Sequence, residues 1–119
     1  MDFTYNSKDK LKSKKGIEEL FSGGKSVSTY PLRMIYIKNH NCNKIGVSVS
    51  KRNFKNAVHR NRIKRLLREA YRLNKNELLE AGITDYSIMI LYNDKDFPDF
   101  KLINDKTKAL FRKFITQTN

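Results

Sequence analysis

The stretch GVSVSKRNFKNAVHRNRIKRLLREAYR, Gly46 to Arg72, decides the fold, because the spacing of its apolar residues changes within it. Up to Ser50 the apolar residues alternate with small or polar ones, which is typical of a strand with one buried face. From Ala57 they recur at intervals of three and four, as on one face of an α-helix, and Asn56 is a good N-cap. The stretch therefore predicts a strand followed by a basic amphipathic helix that reaches about Leu73.

The same two periods predict the elements on either side of this stretch. Pro31 follows one short strand pattern, so that strand is expected to lie at a sheet edge or to carry a break. The remaining predicted elements are a helix in LKSKKGIEELFSGG (11–24), strands in KSVST (25–29), YPLRMIYI (30–37) and ITDYSIMILY (83–92), and a helix from Leu102 to Ile115.

The order αβββαβα predicts an α+β fold in which helices cover a mixed sheet. The 119 residues suit one domain, 1–119, and we expect residues 1–8 and 116–119 to be flexible. Cys42 is the only cysteine, which excludes an internal disulfide or a cysteine-based zinc cluster. No apolar run is long enough to cross a membrane, and the first residues lack a signal peptide's apolar segment. We therefore expect a cytoplasmic protein without a membrane partner.

Charge points to a polyanionic partner. Lys and Arg total 25 against 12 Asp and Glu, a net charge of +13. A chain this basic binds polyanions by releasing their counterions, so nucleic acid is the leading expectation.

The basic residues of the second helix are sorted to one side. With about 100° per residue and Arg60 at zero, the predicted core face spans roughly 220° to 340°. That face contains Ile63, Leu66, Leu67, Ala70 and Leu73. The arc between roughly 40° and 140° contains Asn61, Lys64, Arg65, Arg68 and Arg72. Arg60 lies at the edge of this arc, and Arg62 lies on the other flank of the helix.

A charged helix face is most often a solvated surface, but such surfaces usually mix both signs. Between Lys51 and Arg72 the only acid is Glu69, so the cations repel one another at helical spacing. A row of phosphates outside the fold would compensate, because Arg binds phosphate through two parallel hydrogen bonds. The amide of Asn61 adds a group that can bond to phosphate, sugar or base. Because their arc faces away from the core, we expect the replacement of Arg60, Lys64, Arg65 or Arg68 by Ala to leave the fold intact.

The stretch from Gly46 to Arg72 closely resembles the signature of the bacterial ribonuclease P protein subunit, an Arg-Asn-Arg element followed by Lys-Arg and Arg-Glu. FSGGKSV (21–27) is similar to the family's first helix and its Gly-x-Ser-Val element. The resemblance extends over nearly the whole chain. The residues that match the signature position by position are Arg60, Asn61, Arg62, Lys64, Arg65 and Arg68.

The resemblance implies an accessory role in an RNA enzyme that removes the 5′ leader of precursor tRNA. The RNA subunit would carry out the hydrolysis, so this chain would hold no catalytic residue and be inactive alone. The implied partners are the catalytic RNA and precursor tRNA, without an obligate protein partner. The protein would bind no cofactor or metal itself, but would help recruit the Mg²⁺ that the RNA-containing holoenzyme uses. The implied fold is an α/β sandwich with a left-handed βαβ crossover.

The resemblance also implies two binding surfaces. The strand register decides whether Ile35 or Tyr36 joins Arg33 in a cleft for the leader, and core packing remains an alternative for Phe21 and Tyr36. The surface for catalytic RNA would comprise Lys51, Arg52, Arg60, Asn61, Arg62, Lys64, Arg65, Arg68 and Arg72. The leader cleft would comprise Ile17, Phe21, Arg33, Ile35, Tyr36, Ser48 and Ser50.

The chain departs from the family pattern at two places. Many members have an aromatic residue where Ile17 stands, and many have a shorter turn with a glycine where this chain has KRNFKNAV (51–58). Phe54 in that turn is either an extra RNA contact or part of a packed loop.

Two functions of other classes share some of these sequence features. A DNA-binding regulator would share a basic helix, but its recognition helix normally follows another helix through a short turn. A nuclease that works without RNA needs acids around a metal, and the aspartates of NDKDFPD (93–99) are better explained as turn residues. His40 and His59 lack further ligands at metal spacing and are expected to be exposed.

Overall fold

A computed structural model describes residues 14–39 and 42–118, with side chains from Ile17 onward. His40, the predicted helical residues 11–13 and the predicted flexible residues 1–8 lie outside that part. The predicted order αβββαβα is confirmed. The elements are α1 (Lys14–Gly23), β1 (Lys25–Thr29), β2 (Leu32–Lys38), β3 (Lys44–Val49), α2 (Ala57–Glu80), β4 (Tyr86–Tyr92) and α3 (Phe100–Thr118).

The four strands form one mixed sheet in the order β1-β2-β4-β3. β1 pairs with β2, and β2 with β4, in antiparallel fashion, whereas β3 and β4 are parallel. β1 is an edge strand, and it ends before Pro31. The expected edge position and the expected break near this proline are therefore both confirmed. Helix α2 connects the two parallel strands, so β3, α2 and β4 form a βαβ unit whose hand stays a prediction.

Helices cover the two faces of the sheet unequally. Met34 on β2 and Ile90 on β4 are fully buried in the larger core, to which α2 and α3 contribute. On the other face, Leu20 of α1 packs against Ile35 and Met89 in a smaller cluster. The helices therefore form two layers with the sheet between them, which confirms the prediction that helices cover a mixed sheet.

Helix α2 begins where predicted and ends seven residues later than predicted. The Asn56 side chain accepts a hydrogen bond from the Val58 N–H at 2.8 Å, which confirms the N-cap. Asn74 is buried and donates to the side-chain oxygen of Asn104 on α3, so a polar residue continues the helix instead of ending it. The chain then leaves the helix at Gly82, whose φ of 82° suits glycine.

The buried side of α2 is rotated relative to the predicted core face. Ile63, Leu67 and Ala70 are buried as predicted, but the prediction for Leu73 was wrong, since 43% of it is exposed. Tyr71, at roughly 20° on the wheel, is buried instead. Its ring packs edge to face against Phe111 of α3 at 6.3 Å, so the position of the neighbouring helix determines which flank is covered.

The last helix is longer than predicted at both ends. The Asp99 side chain accepts from the Leu102 N–H at 2.8 Å just before it, and α3 continues through Thr118. The expected flexibility of residues 116–119 stays a prediction. Over the described ranges, no helix is both long enough and apolar enough to cross a membrane.

Candidate nucleic-acid interface

Helix α2 presents a basic face, defined by Asn61, Arg62, Lys64, Arg65, Arg68 and Arg72, on the side away from the sheet. Asn61, Arg62, Arg65 and Arg68 are exposed, and Lys64 and Arg72 are half-buried. Because their neighbours in the helix turn inward, the exposed cations Arg62, Arg65 and Arg68 are available to an external anion.

One cation of the basic face is already paired. Arg72 binds Glu69 through two hydrogen bonds, one from its Nε at 3.0 Å, and the two residues are three positions apart. The hydrogen bond from Arg72 lowers the pKa of the Glu69 carboxyl below its ordinary value. The strongest excess of positive charge therefore lies in the first three turns of α2.

Arg60 does not point away from the fold as the other matched residues do. Its Nη1 donates to the carbonyl oxygens of Phe54 at 2.8 Å and Lys55 at 2.9 Å, so it holds the turn before α2. The structure thus contradicts the expectation that Arg60 has no part in the fold. Phe54 is 7% exposed and packs against Tyr92 with ring centroids 6.1 Å apart, so it belongs to a packed loop.

The predicted leader cleft lies on the α1 face of the sheet. Arg33, Leu91 and Ser48 are register partners across β2, β4 and β3, and form one row. Arg33 is exposed, and Leu91 and Ser48 are half-buried. Since neighbouring strands are about 4.8 Å apart, Arg33 and Ser48 stand roughly 10 Å from each other.

The register places Ile35, and not Tyr36, on the cleft side of β2. Tyr36 faces the larger core, where its ring lies 4.5 Å from Phe114 and its hydroxyl donates to Gln117 at 2.7 Å. Burial raises the pKa of Tyr36. Ile35 is also almost fully covered, by Leu20 among others, so it forms the floor of the cleft and offers little surface to a ligand.

Helix α1 forms the wall of the cleft. Phe21 is 55% exposed, whereas Ile17 is half-buried against the small cluster of Leu20. Gly24 allows α1 to lie this close to the sheet, because a Cβ there would be 2.3 Å from the Leu20 oxygen and 2.8 Å from Ile35 Cγ2. Of the two proposed wall residues, Phe21 is therefore the one with a ring surface available for a base.

The turn after β3 lies between the two surfaces. Ser50 is half-buried, and its hydroxyl accepts a hydrogen bond from the Arg52 N–H at 3.1 Å. Lys51 and Arg52 are exposed. These two cations therefore extend the positive charge from the basic face of α2 towards the cleft.

Within residues 14–39 and 42–118, no three His, Cys, Asp or Glu side chains are grouped as metal ligands. Asp94 accepts from the Lys95 N–H and Asp99 from the Leu102 N–H, in agreement with turn chemistry. His59 is exposed, as expected.

Phe97 is an exposed residue that the sequence analysis missed. It lies in the loop between β4 and α3 and is 50% exposed, and its ring is 6.2 Å from that of His59 on α2. Helical or strand periodicity gives no signal for such a residue. A single aromatic within the polar run NDKDFPD (93–99) was the available clue.

The fold and its excess of exposed cations define a small basic α+β protein of the kind that binds polyanions. The chain belongs to the ribonuclease P protein family, since the family model described as Ribonuclease P matches residues 5–115. It is 36% identical to the ribonuclease P protein component of Porphyromonas gingivalis, covering 85% of this chain and 79% of that protein. It is 35% identical to the ribonuclease P protein component of Clostridioides difficile, and the match covers 95% of this chain and 96% of that protein.

Solved structures share the fold. The RNase P protein of Staphylococcus aureus matches with a TM-score of 0.71 at 21% identity, covering 88% of this chain and 94% of that one. The RNase P protein of Thermotoga maritima also matches with a TM-score of 0.71, at 24% identity, covering 87% of this chain and 96% of that one. At these identities the likeness establishes the fold alone. The α2 helix stands between two strands, which also disfavours the DNA-binding alternative.

Proposed function

We propose that this chain binds the catalytic RNA of ribonuclease P through the basic face of α2 and the 5′ leader of precursor tRNA through the cleft beside α1. The observation that carries the proposal is the position of these surfaces on opposite sides of one sheet. A protein built in this way can contact two RNA segments at once.

Electrostatics supports such an interposed position. Catalytic RNA and precursor tRNA are both polyanions and repel each other, and a protein of net charge +13 between them screens that repulsion. Arg65 and Arg68 are exposed cations one turn apart, at a spacing that suits neighbouring phosphates. The protein thereby increases the affinity of the holoenzyme for its substrate.

The cleft supports recognition of a single strand without a strong sequence preference. Arg33 supplies a charge for the backbone, and Phe21 supplies a ring on which a base can stack. Each stacked base contributes about 1–3 kcal/mol, and every base has a face that can stack. The hydroxyl of Ser48 on the far side of the row is a further hydrogen-bonding group.

Hydrolysis belongs to the RNA subunit in this proposal. Mg²⁺ is the metal of the RNA-containing holoenzyme, and this chain contributes by lowering the charge repulsion around the assembled site. We expect the assembly to work in the cytoplasm, and to need the catalytic RNA and precursor tRNA but no second protein.

The test is cleavage of precursor tRNA at low magnesium in three reactions: the protein alone, a bacterial ribonuclease P RNA alone, and both together. We expect efficient cleavage at the mature 5′ end only in the mixture. Cleavage by the RNA-free protein would overturn the assignment of catalysis, and a mixture no better than RNA alone would overturn the proposed assistance.

The role of the basic face is tested by the Arg65→Ala/Arg68→Ala variant. We expect weaker binding to the catalytic RNA and a salt dependence reduced by roughly 0.7–0.9 in the log–log slope for each lost phosphate contact. Lys101→Ala/Lys108→Ala is the matched control, because it removes two exposed cations from α3 and none from α2. Equal losses for both variants would indicate non-specific attraction by net charge.

A further inference from the structure

Phe97 is an aromatic ring fixed in place while half of its surface remains open to solvent. Phe54 lies edge to face with it at 6.3 Å and an interplanar angle of 83°, and His59 does so at 6.2 Å and 77°. Two nearly perpendicular neighbouring rings limit the orientations open to the Phe97 ring. An exposed ring that is already ordered loses little conformational freedom when a ligand binds it.

The support for Phe97 reaches into the core. Phe54 packs on Tyr92, which is 1% exposed, and the Tyr92 hydroxyl donates to the carbonyl oxygen of Asp96 at 2.6 Å. Asp96 directly precedes Phe97, and Pro98 after it is buried. Both the ring and the backbone of this residue are therefore held by the fold.

The surroundings of Phe97 suit a nucleotide. His59 and Arg62 are three residues apart on α2 and so share a side of the helix, and Lys55 precedes the helix. Arg62 and Lys55 are both exposed, so cations are available to the phosphates on either side of a base at Phe97.

The loop also carries carboxylates, which repel phosphate. Asp94 accepts from the Lys95 N–H and Asp99 from the Leu102 N–H, so two of them are engaged in the loop itself. The apolar ring between them is consequently suited to the uncharged base of a nucleotide and not to its phosphate. A protein partner would need several hundred Å² of contact surface, far more than this single ring offers.

We infer that Phe97, supported by Phe54 and His59, is a stacking platform for one unpaired base of the catalytic RNA that lies along α2. This inference rests on the function proposed above and adds a contact outside the cleft and the basic face. Stacking on one aromatic ring corresponds to about a 5- to 100-fold change in affinity.

The direct test uses fluorescence, because the chain contains no tryptophan. In Phe97→Trp the new indole should stack on the base, so we expect saturable quenching when bacterial ribonuclease P RNA is added. Leu79→Trp is the control, at an exposed position near the other end of α2, and its emission should change little. Unchanged emission of Phe97→Trp during demonstrable RNA binding would overturn the inference.

The energetic test compares Phe97→Leu, Phe97→Tyr and Arg68→Ala in binding to the same RNA. Phe97→Leu keeps an apolar contact with Phe54 but loses the ring, so affinity should fall about 5- to 100-fold, and Phe97→Tyr should retain it. If Arg68→Ala weakens binding and Phe97→Leu does not, the inference that Phe97 is a stacking platform is wrong, and the proposed function stands. If no variant weakens binding, the proposed function fails as well.

Discussion

The guanidinium of Arg60 donates a hydrogen bond to the carbonyl oxygen of Phe54 at 2.8 Å, so the first arginine of the matched signature is also a structural residue. The same Nη1 reaches Lys55 O at 2.9 Å. The turn that precedes α2 is thereby fixed to the first turn of the helix. A loss of RNA binding in an Arg60 variant therefore has two causes that must be separated.

Replacing Arg60 with Ala should destabilise the protein, because two backbone carbonyls lose a charged donor. We expect a loss of about 1.5 kcal/mol in the free energy of unfolding. Arg68→Ala should change that free energy by no more than about 0.5 kcal/mol, since Arg68 is exposed. Denaturant titration of both variants is the measurement, and equal stability for the two would contradict a structural role for Arg60.

Phe21 and its neighbour Leu20 should separate leader recognition from stability. Phe21→Ala removes an exposed ring, so it should weaken the binding of leader-containing precursor tRNA by about 5- to 100-fold and leave mature tRNA unaffected. Leu20→Ala removes a fully buried side chain and should cost about 2–5 kcal/mol of stability. Binding assays with both RNAs test this, and equal losses of both RNAs for Phe21→Ala would exclude Phe21 from the leader site.

The two glycines at the end of α1 should respond differently to alanine. A Cβ at Gly24 would lie 2.3 Å from the Leu20 oxygen of α1 and 2.8 Å from Ile35 Cγ2 of β2, so Gly24→Ala should shift the end of α1 relative to the sheet and cost about 1–3 kcal/mol, with weaker leader binding. At Gly23 the nearest atom would be Ile37 Cδ1 at 3.7 Å, an ordinary contact. Thermal unfolding of both variants checks this, and an unperturbed Gly24→Ala protein would show that α1 is not held so closely.

Tyr92 should make the fold sensitive to alkaline pH. Burial, with added repulsion from Asp94 and Asp96, raises the pKa of Tyr92 to about 12 from an ordinary value of 10.0. The unfolded chain therefore loses this proton first as pH rises, and stability present below about pH 10 is lost towards pH 12. Phenolate absorbance during titration should show a last ionisation step that Tyr92→Phe removes.

The exposed Tyr30 provides the control for this titration. Tyr30→Phe also removes one phenol, but the last ionisation step should persist, slightly lower in pH because Tyr30 contributes to the raised pKa of Tyr92. If Tyr92→Phe leaves the titration unchanged in its final step, another tyrosine is responsible.

Local patterns in the sequence were sufficient for the element order and for the side of α2 that carries charge. Helical spacing along α2 is set by backbone geometry, so Ile63 could be assigned to the core directly. The burial of Tyr71 in place of Leu73 could not be predicted, because it depends on where α3 packs. The same holds for the position of β4 between β2 and β3, since strand pairing is non-local.

The sequence was sufficient to predict which charged residues of α2 are exposed, but not which residues face the cleft. Arg65 and Arg68 follow from periodicity, whereas the choice between Ile35 and Tyr36 needed the register that β4 imposes. Phe97 lies in a loop whose residues obey no period, so only its contacts with Phe54 and His59 draw attention to it.

The insertion of β4 between β2 and β3 has a consequence for biosynthesis. When a ribosome has produced β1, β2, β3 and α2, the inner edges of β2 and β3 still lack the strand that joins them. Leu32 and Val49 share the register partner Tyr92, so neither has its partner on β4 at this stage. The nascent chain therefore cannot close its sheet until β4 has left the exit tunnel, and before then it offers open strand edges to chaperones or to aggregation.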